Sequence, residues 1–126
     1  MDIDFALDLT ERLIPDDKKA QMGGFCRTST RATLEDIAES GVLFIRPFGI
    51  IGGAITTSPI NAGFKMAVER VFYAERNHRT LIALFDDWRR SQGAQRTIMG
   101  TADARMSRIY GKLGFDYLEG YYVRGE

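Results

Sequence analysis

The chain predicts an α/β domain of the α+β kind, a mixed, mainly antiparallel sheet flanked by helices. Three observations carry that expectation. From Phe64 to Tyr122 the pattern runs strand, polar turn, helix, strand, helix, strand. Ahead of it, Val42–Ile45 and Ile50–Thr57 are β-branched and aromatic runs separated by the turn Arg46-Pro47-Phe48-Gly49, which reads as a hairpin. Ahead of the hairpin, two segments carry apolar residues at helical spacing.

Taken in order, Phe5, Leu9 and Leu13 recur four apart between Asp4 and Ile14, and Pro15 stops the pattern, which predicts a first helix. Pro15 to Arg31 is polar and holds Gly23-Gly24, so it reads as loop with a short helical turn near Lys18 to Met22. Thr33 with Asp36 resembles a capping box with Asp in place of Glu or Gln. Leu34, Ile37 and Ala38 then give one short apolar face, and Gly41 ends that helix. Gly52-Gly53 inside the second hairpin strand weakens it and marks a bulge or a close approach of another backbone or a ligand. Thr57-Ser58-Pro59-Ile60-Asn61-Ala62-Gly63 is a loop.

The third strand candidate, Phe64 to Tyr73, alternates unevenly. Phe64, Met66 and Val68 point one way, while Val71 and Tyr73 are out of phase with them. A one-residue slip at Glu69-Arg70 would be a β-bulge, which re-aims side chains; the alternative is a central strand apolar on both faces. Ala74 to Arg79 is a charged turn. Asn77 is placed to cap the next helix with its side-chain oxygen, Leu81, Leu84, Phe85 and Trp88 form the apolar face, and Gly93 ends it. The open amides and partial positive charge at such a helix start suit an anion, usually phosphate. Arg96 to Gly100 is a short buried strand. Asp103 can cap a last helix with Met106, Ile109, Tyr110 and Leu113 on one face and Gly114 as its terminator. Phe115 to Arg124 is a final aromatic strand, bent at Gly120.

The 126 residues are enough for one domain over the whole chain, and a chain of this size buries roughly two-thirds of its unfolded surface. Seventeen basic residues balance seventeen acidic ones, so no net field draws the chain to nucleic acid or to a membrane surface, and neither is an expected partner. No apolar run approaches the roughly 20 residues of a membrane span. The single cysteine, Cys26, excludes an internal disulfide and fits a reducing compartment; with an acidic N-terminus and no leader pattern, a cytoplasmic location is expected. Cys26 reads as a passive thiol. One Cys, one His and scattered carboxylates give no zinc spacing, so no metal is expected.

The run Asp103-Ala104-Arg105-Met106-Ser107-Arg108-Ile109-Tyr110-Gly111-Lys112-Leu113-Gly114-Phe115 resembles the C-terminal signature of the GNAT acyl-CoA N-acyltransferases, and the order of elements upstream is similar too. The resemblance covers most of the chain and is most specific from about Val71 to Phe115. It implies a GNAT-like fold, acetyl-CoA as co-substrate, and direct transfer of an acetyl group to the amine of a small molecule or peptide. Tyr110 matches the tyrosine that gives a proton to the leaving thiolate; as a bare side chain it reads equally as a helix core residue. Glu69 is the first candidate for the base and Glu75 the second. The backbone of Val71, Phe72 and Tyr73 would hold the thioester carbonyl, and Arg76, Asn77, His78, Arg79, Thr80 and Leu81 match the pyrophosphate loop, with Asp103 as a further contact.

That loop departs from the family pattern. Its two small positions are filled by Arg79 and Leu81, where glycine lets the backbone touch phosphate. Three outcomes are open: Arg79 pairs with phosphate through its side chain, the loop takes another path, or CoA affinity is weak or lost. The last would leave a binding or structural protein on the same fold. Arg89-Arg90 and Arg105/Arg108 read as surface charges first and as contacts to the CoA 3′-phosphate second. The aromatic tail Phe115, Tyr117, Tyr121 and Tyr122 is either core or a strand open for pairing in a homodimer.

Overall fold

The computed structural model describes residues 2–100 and 104–118. Three helices lead into the sheet: α1 (Ile3–Leu13), α2 (Asp16–Gln21) and α3 (Arg27–Ser40). The strands are β1 (Val42–Arg46), β2 (Gly49–Ser58), β3 (Asn61–Ala74) and β4 (Arg96–Ile98); α4 (His78–Ser91) lies between β3 and β4, and α5 (Ala104–Lys112) follows. The sheet order is β1-β2-β3-β4, with the first two pairings antiparallel and β3·β4 parallel. This is the mixed, mainly antiparallel sheet that the residue pattern predicts. The parallel pair follows from the crossover through α4, which brings the chain back to start β4 at the same end as β3.

The two faces of the sheet carry separate cores. Ala6, Leu7 and Leu9 of α1 and Leu34 and Ile37 of α3 pack on Leu43, Ile50 and Val71. On the other face, Leu81 and Phe85 of α4 pack on Ile51 and Ala67, with Phe72 and Trp88 at the margin. The buried α4 residues stand three and four apart, so one stripe of the helix meets the sheet. Among the described residues no helix is long and apolar enough to cross a membrane.

Several local expectations are corrected. In α1 the buried stripe is Ala6, Leu7, Leu9 and Thr10, and Phe5 lies outside it. Asp2 caps the helix, its carboxylate accepting from the Phe5 amide at 2.9 Å. The short helical turn expected near Lys18 to Met22 is formed as α2, but the stretch ends earlier than expected, because α3 starts at Arg27, six residues before the expected Thr33 cap. The extension is tertiary in origin, because Arg27 pairs with Asp8 at 2.8 Å and Arg31 with Asp4, docking that first turn on α1. Asp36 is not a capping partner of Thr33; it accepts from Arg70 at 2.9 Å.

The last two elements split the same way. Gly93 (φ +73°) ends α4 and Gly114 (φ +89°) ends α5, both as expected for left-handed terminators. The expected strand from Phe115 is not formed over residues 115–118, which are irregular. The rest of that segment, with Gly120, Tyr121 and Tyr122, lies outside the described residues, as does Asp103.

Candidate active site

The strand β3 is longer than its partner on one side. It pairs with β4 only at Met66↔Arg96, Ala67↔Thr97 and Val68↔Ile98. From Glu69 to Ala74 it continues beside β2 alone. The sheet therefore opens into a fork just past Val68, and the β3 backbone along the open side has no strand partner among the described residues.

A bulge sits at the mouth of the fork. Gly52 faces Val71 and Gly53 faces Glu69, so Arg70 is an extra residue against β2. Arg70 reaches Asp36 on α3, and the next residue, Val71, is buried in the α1/α3 core. Consecutive residues on one face are what a bulge produces, and the slip brings Val71 and Tyr73 back into phase with Val68. The glycine pair across from it serves backbone approach. A Cβ on Gly53 would stand 2.0 Å from the Val68 carbonyl oxygen and 2.8 Å from the Phe85 ring. Of the two readings the sequence allows for Gly52-Gly53, the bulge and the neighbouring backbone account for it.

Glu69 is the first residue past the paired segment. It is half-buried, and it has no hydrogen-bond or ion-pair partner among the described residues. Burial pushes its carboxyl up to about 7, opposed by the charge of Lys18. Glu75, the second candidate, is of another kind. It pairs with Arg12 at 2.9 Å and with Arg76 at 2.8 Å, and the Arg12 hydrogen bond holds its carboxyl below the usual range.

Tyr110 closes the fork from the other prong. It is buried on α5, and its hydroxyl donates to the Gly100 carbonyl, just past β4, at 3.3 Å. Its ring lies 5.5 Å from that of Phe115, whose amide donates to the Tyr110 carbonyl across the Gly114 turn. Burial and the nearby charge of Glu69 both push the phenol upward, so it stays protonated. Glu69 and Tyr110 are 41 residues apart in sequence, and the fold brings the Glu69 carboxylate near enough for its charge to act on the phenol.

The start of α4 lies on the Ile51/Ala67 face of the sheet. Asn77 does not cap the helix with its side chain; it adopts the left-handed conformation (φ 57°, ψ 37°), and its carbonyl accepts from the Thr80 and Leu81 amides at 3.0 and 3.4 Å. Alternation of left- and right-handed residues is the geometry in which successive amides converge on an anion. The Arg79 amide has no backbone acceptor among the described residues. The side chains of Arg76, Arg79 and Thr80 are exposed, while the His78 ring meets Phe72 edge-on at 6.0 Å. Leu81 is completely buried in the α4 core, so its side chain is packing. From Arg79 an open groove follows the outer face of α4 past Ile82 and Ala83 to Leu113 and Phe115. Arg89 and Arg90 are engaged by Asp86 and Asp87, and Arg89 also donates to Thr97, which fastens β4 to α4.

Whole-chain comparison places this architecture. The chain superposes on the glucosamine-6-phosphate N-acetyltransferase from Arabidopsis thaliana with a TM-score of 0.70 at 11% identity, covering 99% of this chain and 94% of that one. For a Trypanosoma brucei acetyltransferase the TM-score is 0.67 at 18% identity, covering 99% and 92%. The fold is that of the GNAT N-acyltransferases. A third GNAT structure, the aminoglycoside N-acetyltransferase AAC(6′)-Iy in complex with CoA, gives 0.67 at 17% identity, covering 95% and 88%. No protein-family model matches the chain, and no curated protein matches it by sequence. The GNAT architecture is thus carried by the order and packing of elements with little of the residue code.

Sequence reasoning missed one participant at the fork: the Gly100 carbonyl, which takes the Tyr110 hydroxyl, is a backbone group and leaves no residue-type signal.

Proposed function

We propose that the chain is an N-acetyltransferase that moves an acetyl group from acetyl-CoA directly to an amine of a small molecule or peptide. The observation that carries this reading is the fork past Val68↔Ile98 with Glu69 on one prong and Tyr110 at the other. A thioester in the fork could take backbone hydrogen bonds from β3 between Val71 and Tyr73, which has no strand partner on that side. The diphosphate would lie at the start of α4, held by amides around Asn77 to Arg79, by the exposed Thr80 side chain and by the Arg76 and Arg79 guanidiniums. Phosphate needs converging donors and cations, and this segment supplies both without glycine. Leu81 is left out of the set, because its side chain is core. The site belongs to a single domain spanning the chain.

In this mechanism Glu69 accepts the proton of the amine, directly or through one water. A carboxyl near 7 is a far better base than an ordinary glutamate, and about half of it is ionised at neutral pH. The nitrogen attacks the thioester carbon, the carbonyl charge is met by backbone amides, and the C–S bond breaks. Tyr110, kept protonated by burial, exchanges its bond to the Gly100 carbonyl for one to the departing sulfur. Glu75 is the weaker candidate, because two arginines hold it ionised and engaged.

One observation favours a second reading. Arg79 and Leu81 replace the small residues of the loop, so the alternative is a binding or structural protein on this fold with little CoA affinity. Calorimetry with acetyl-CoA and with CoA separates the two. Binding in the micromolar range together with acetylation of an amine panel is expected. No heat at millimolar ligand would favour the second reading and remove the first.

A further inference from the structure

We infer that Thr97, gripped by Asp86 and Arg89, is a positioning residue for the transfer: it fixes the β4 prong of the fork and, through the Gly100 carbonyl, the place of the Tyr110 hydroxyl. This rests on the acetyltransferase reading and adds to it a residue that acts through Tyr110. Asp86 and Arg89 stand on α4, and Thr97 is the middle residue of β4. The Thr97 hydroxyl donates to Asp86 Oδ1 at 2.5 Å and accepts from Arg89 Nε at 3.1 Å. Arg89 closes the triangle, donating from Nη2 to the same Asp86 oxygen at 2.9 Å. From Nη1 it also reaches the Ala94 carbonyl, ahead of β4, at 3.4 Å. All three side chains are half-buried, and charge-assisted bonds shielded from water are the strong ones.

Little else holds β4 in place. Its ladder to β3 is three pairs long and parallel, the weaker kind per residue, and its other edge has no strand partner among the described residues. Thr97 stands beside Ala67, one pair before the fork, and Ala67 packs toward α4. Glu69 shares that face, because it lies opposite Gly53, where a Cβ would meet the Phe85 ring of α4. Just past β4, the Gly100 carbonyl takes the Tyr110 hydroxyl at 3.3 Å. A shift of β4 against α4 therefore moves the group that holds the phenol, while Glu69 stays where the β3 bulge puts it. A misplacement of about 1 Å is enough to cost a reaction much of its rate.

The test is a double-mutant cycle on the full chain. Thr97→Val keeps the shape of the side chain and removes the hydroxyl. It should lower kcat by about fivefold with the calorimetric affinity for CoA unchanged, and Thr97→Ser should keep most of the rate. In a Tyr110→Phe background the same change should cost less than about twofold further, because the group it positions is gone. An equal loss in both backgrounds is what a merely structural clasp gives, and it would overturn the positioning role. So would wild-type kcat in Thr97→Val, or a loss confined to CoA affinity. Should Thr97→Val fail to fold, Arg89→Lys carries the same cycle, since its single nitrogen cannot meet Asp86, Thr97 and Ala94 as the guanidinium does. The phenol also reports without turnover. The NMR signal of the Tyr110 Cζ should move in Thr97→Val and stay in Thr97→Ser. Movement in a chain that transfers nothing would sustain the clasp and sink the transferase reading. An unmoved signal would overturn the hold on Tyr110, whatever the activity.

Discussion

At the scale of single residues, the proposed chemistry depends on two groups, one to accept a proton and one to donate a hydrogen bond. Burial raises Glu69 to about 7, which makes it a base near neutrality. Burial and the Glu69 charge raise Tyr110, which keeps it a donor at every working pH. kcat/KM for acetylation should therefore rise with pH as Glu69 ionises and level off above about 7. Glu69→Gln should lose that inflexion and about 100-fold in rate, while any slope from the amine's own ionisation remains. Tyr110→Phe should lower kcat by about tenfold or more with the calorimetric affinity for CoA unchanged. An unaltered pH profile in Glu69→Gln, or full activity in Tyr110→Phe, would remove that residue from the mechanism. Stability follows the same group with a definite sign. Between about 4.5 and about 7 the folded chain keeps a proton on Glu69 that the unfolded chain has released, so stability falls as pH rises through that window.

The elements show how these residues reach the fork. The β3 bulge was legible as an uneven alternation, because Phe64, Met66 and Val68 fall out of phase with Val71 and Tyr73. Its accommodation by Gly53 was legible as a glycine pair marking a bulge or a close approach, while the identity of the approaching group, the Val68 carbonyl, was not. Gly53→Ala should destabilise the fold by about 2 kcal/mol or more, since its Cβ would meet the Val68 carbonyl and the Phe85 ring, neither at the end of a flexible side chain. Gly63→Ala, whose Cβ would meet only the Asn61 side chain at 3.5 Å, is the near-neutral control. Urea midpoints at constant slope measure the difference; equal midpoints for the two variants would refute the packing argument. Helix α4 was legible from its apolar stripe, but the device at its start was not. Asn77 supplies a left-handed backbone in place of a capping side chain, and side-chain identity alone permits both. The early start of α3 was illegible because Arg27 and Arg31 find their carboxylates on another helix.

For the whole molecule, the two cores leave the fork as the seam between them. One core fixes α1 and α3 on one face, the other fixes α4 on the opposite face, and β4 is short enough to leave β3 uncovered beyond Val68. A ligand laid in that seam would touch both halves, so acetyl-CoA at about 100 times its dissociation constant should stabilise the fold by about 2.7 kcal/mol, several degrees in Tm. A melting point indifferent to acetyl-CoA at that concentration would speak against a site in the seam. The residues alone determined the α/β class, the hairpin, the strand–helix–strand core of the fold and the likeness to GNAT proteins, because period, turn residues and order are local properties that survive when identity falls. Only tertiary structure decided where β3 and β4 part, that Leu81 is core while Arg79 is exposed, that Glu75 is bound by arginines, and that Glu69 is half-buried. Those are facts of burial and of through-space charge between distant segments, and spacing along a chain carries neither.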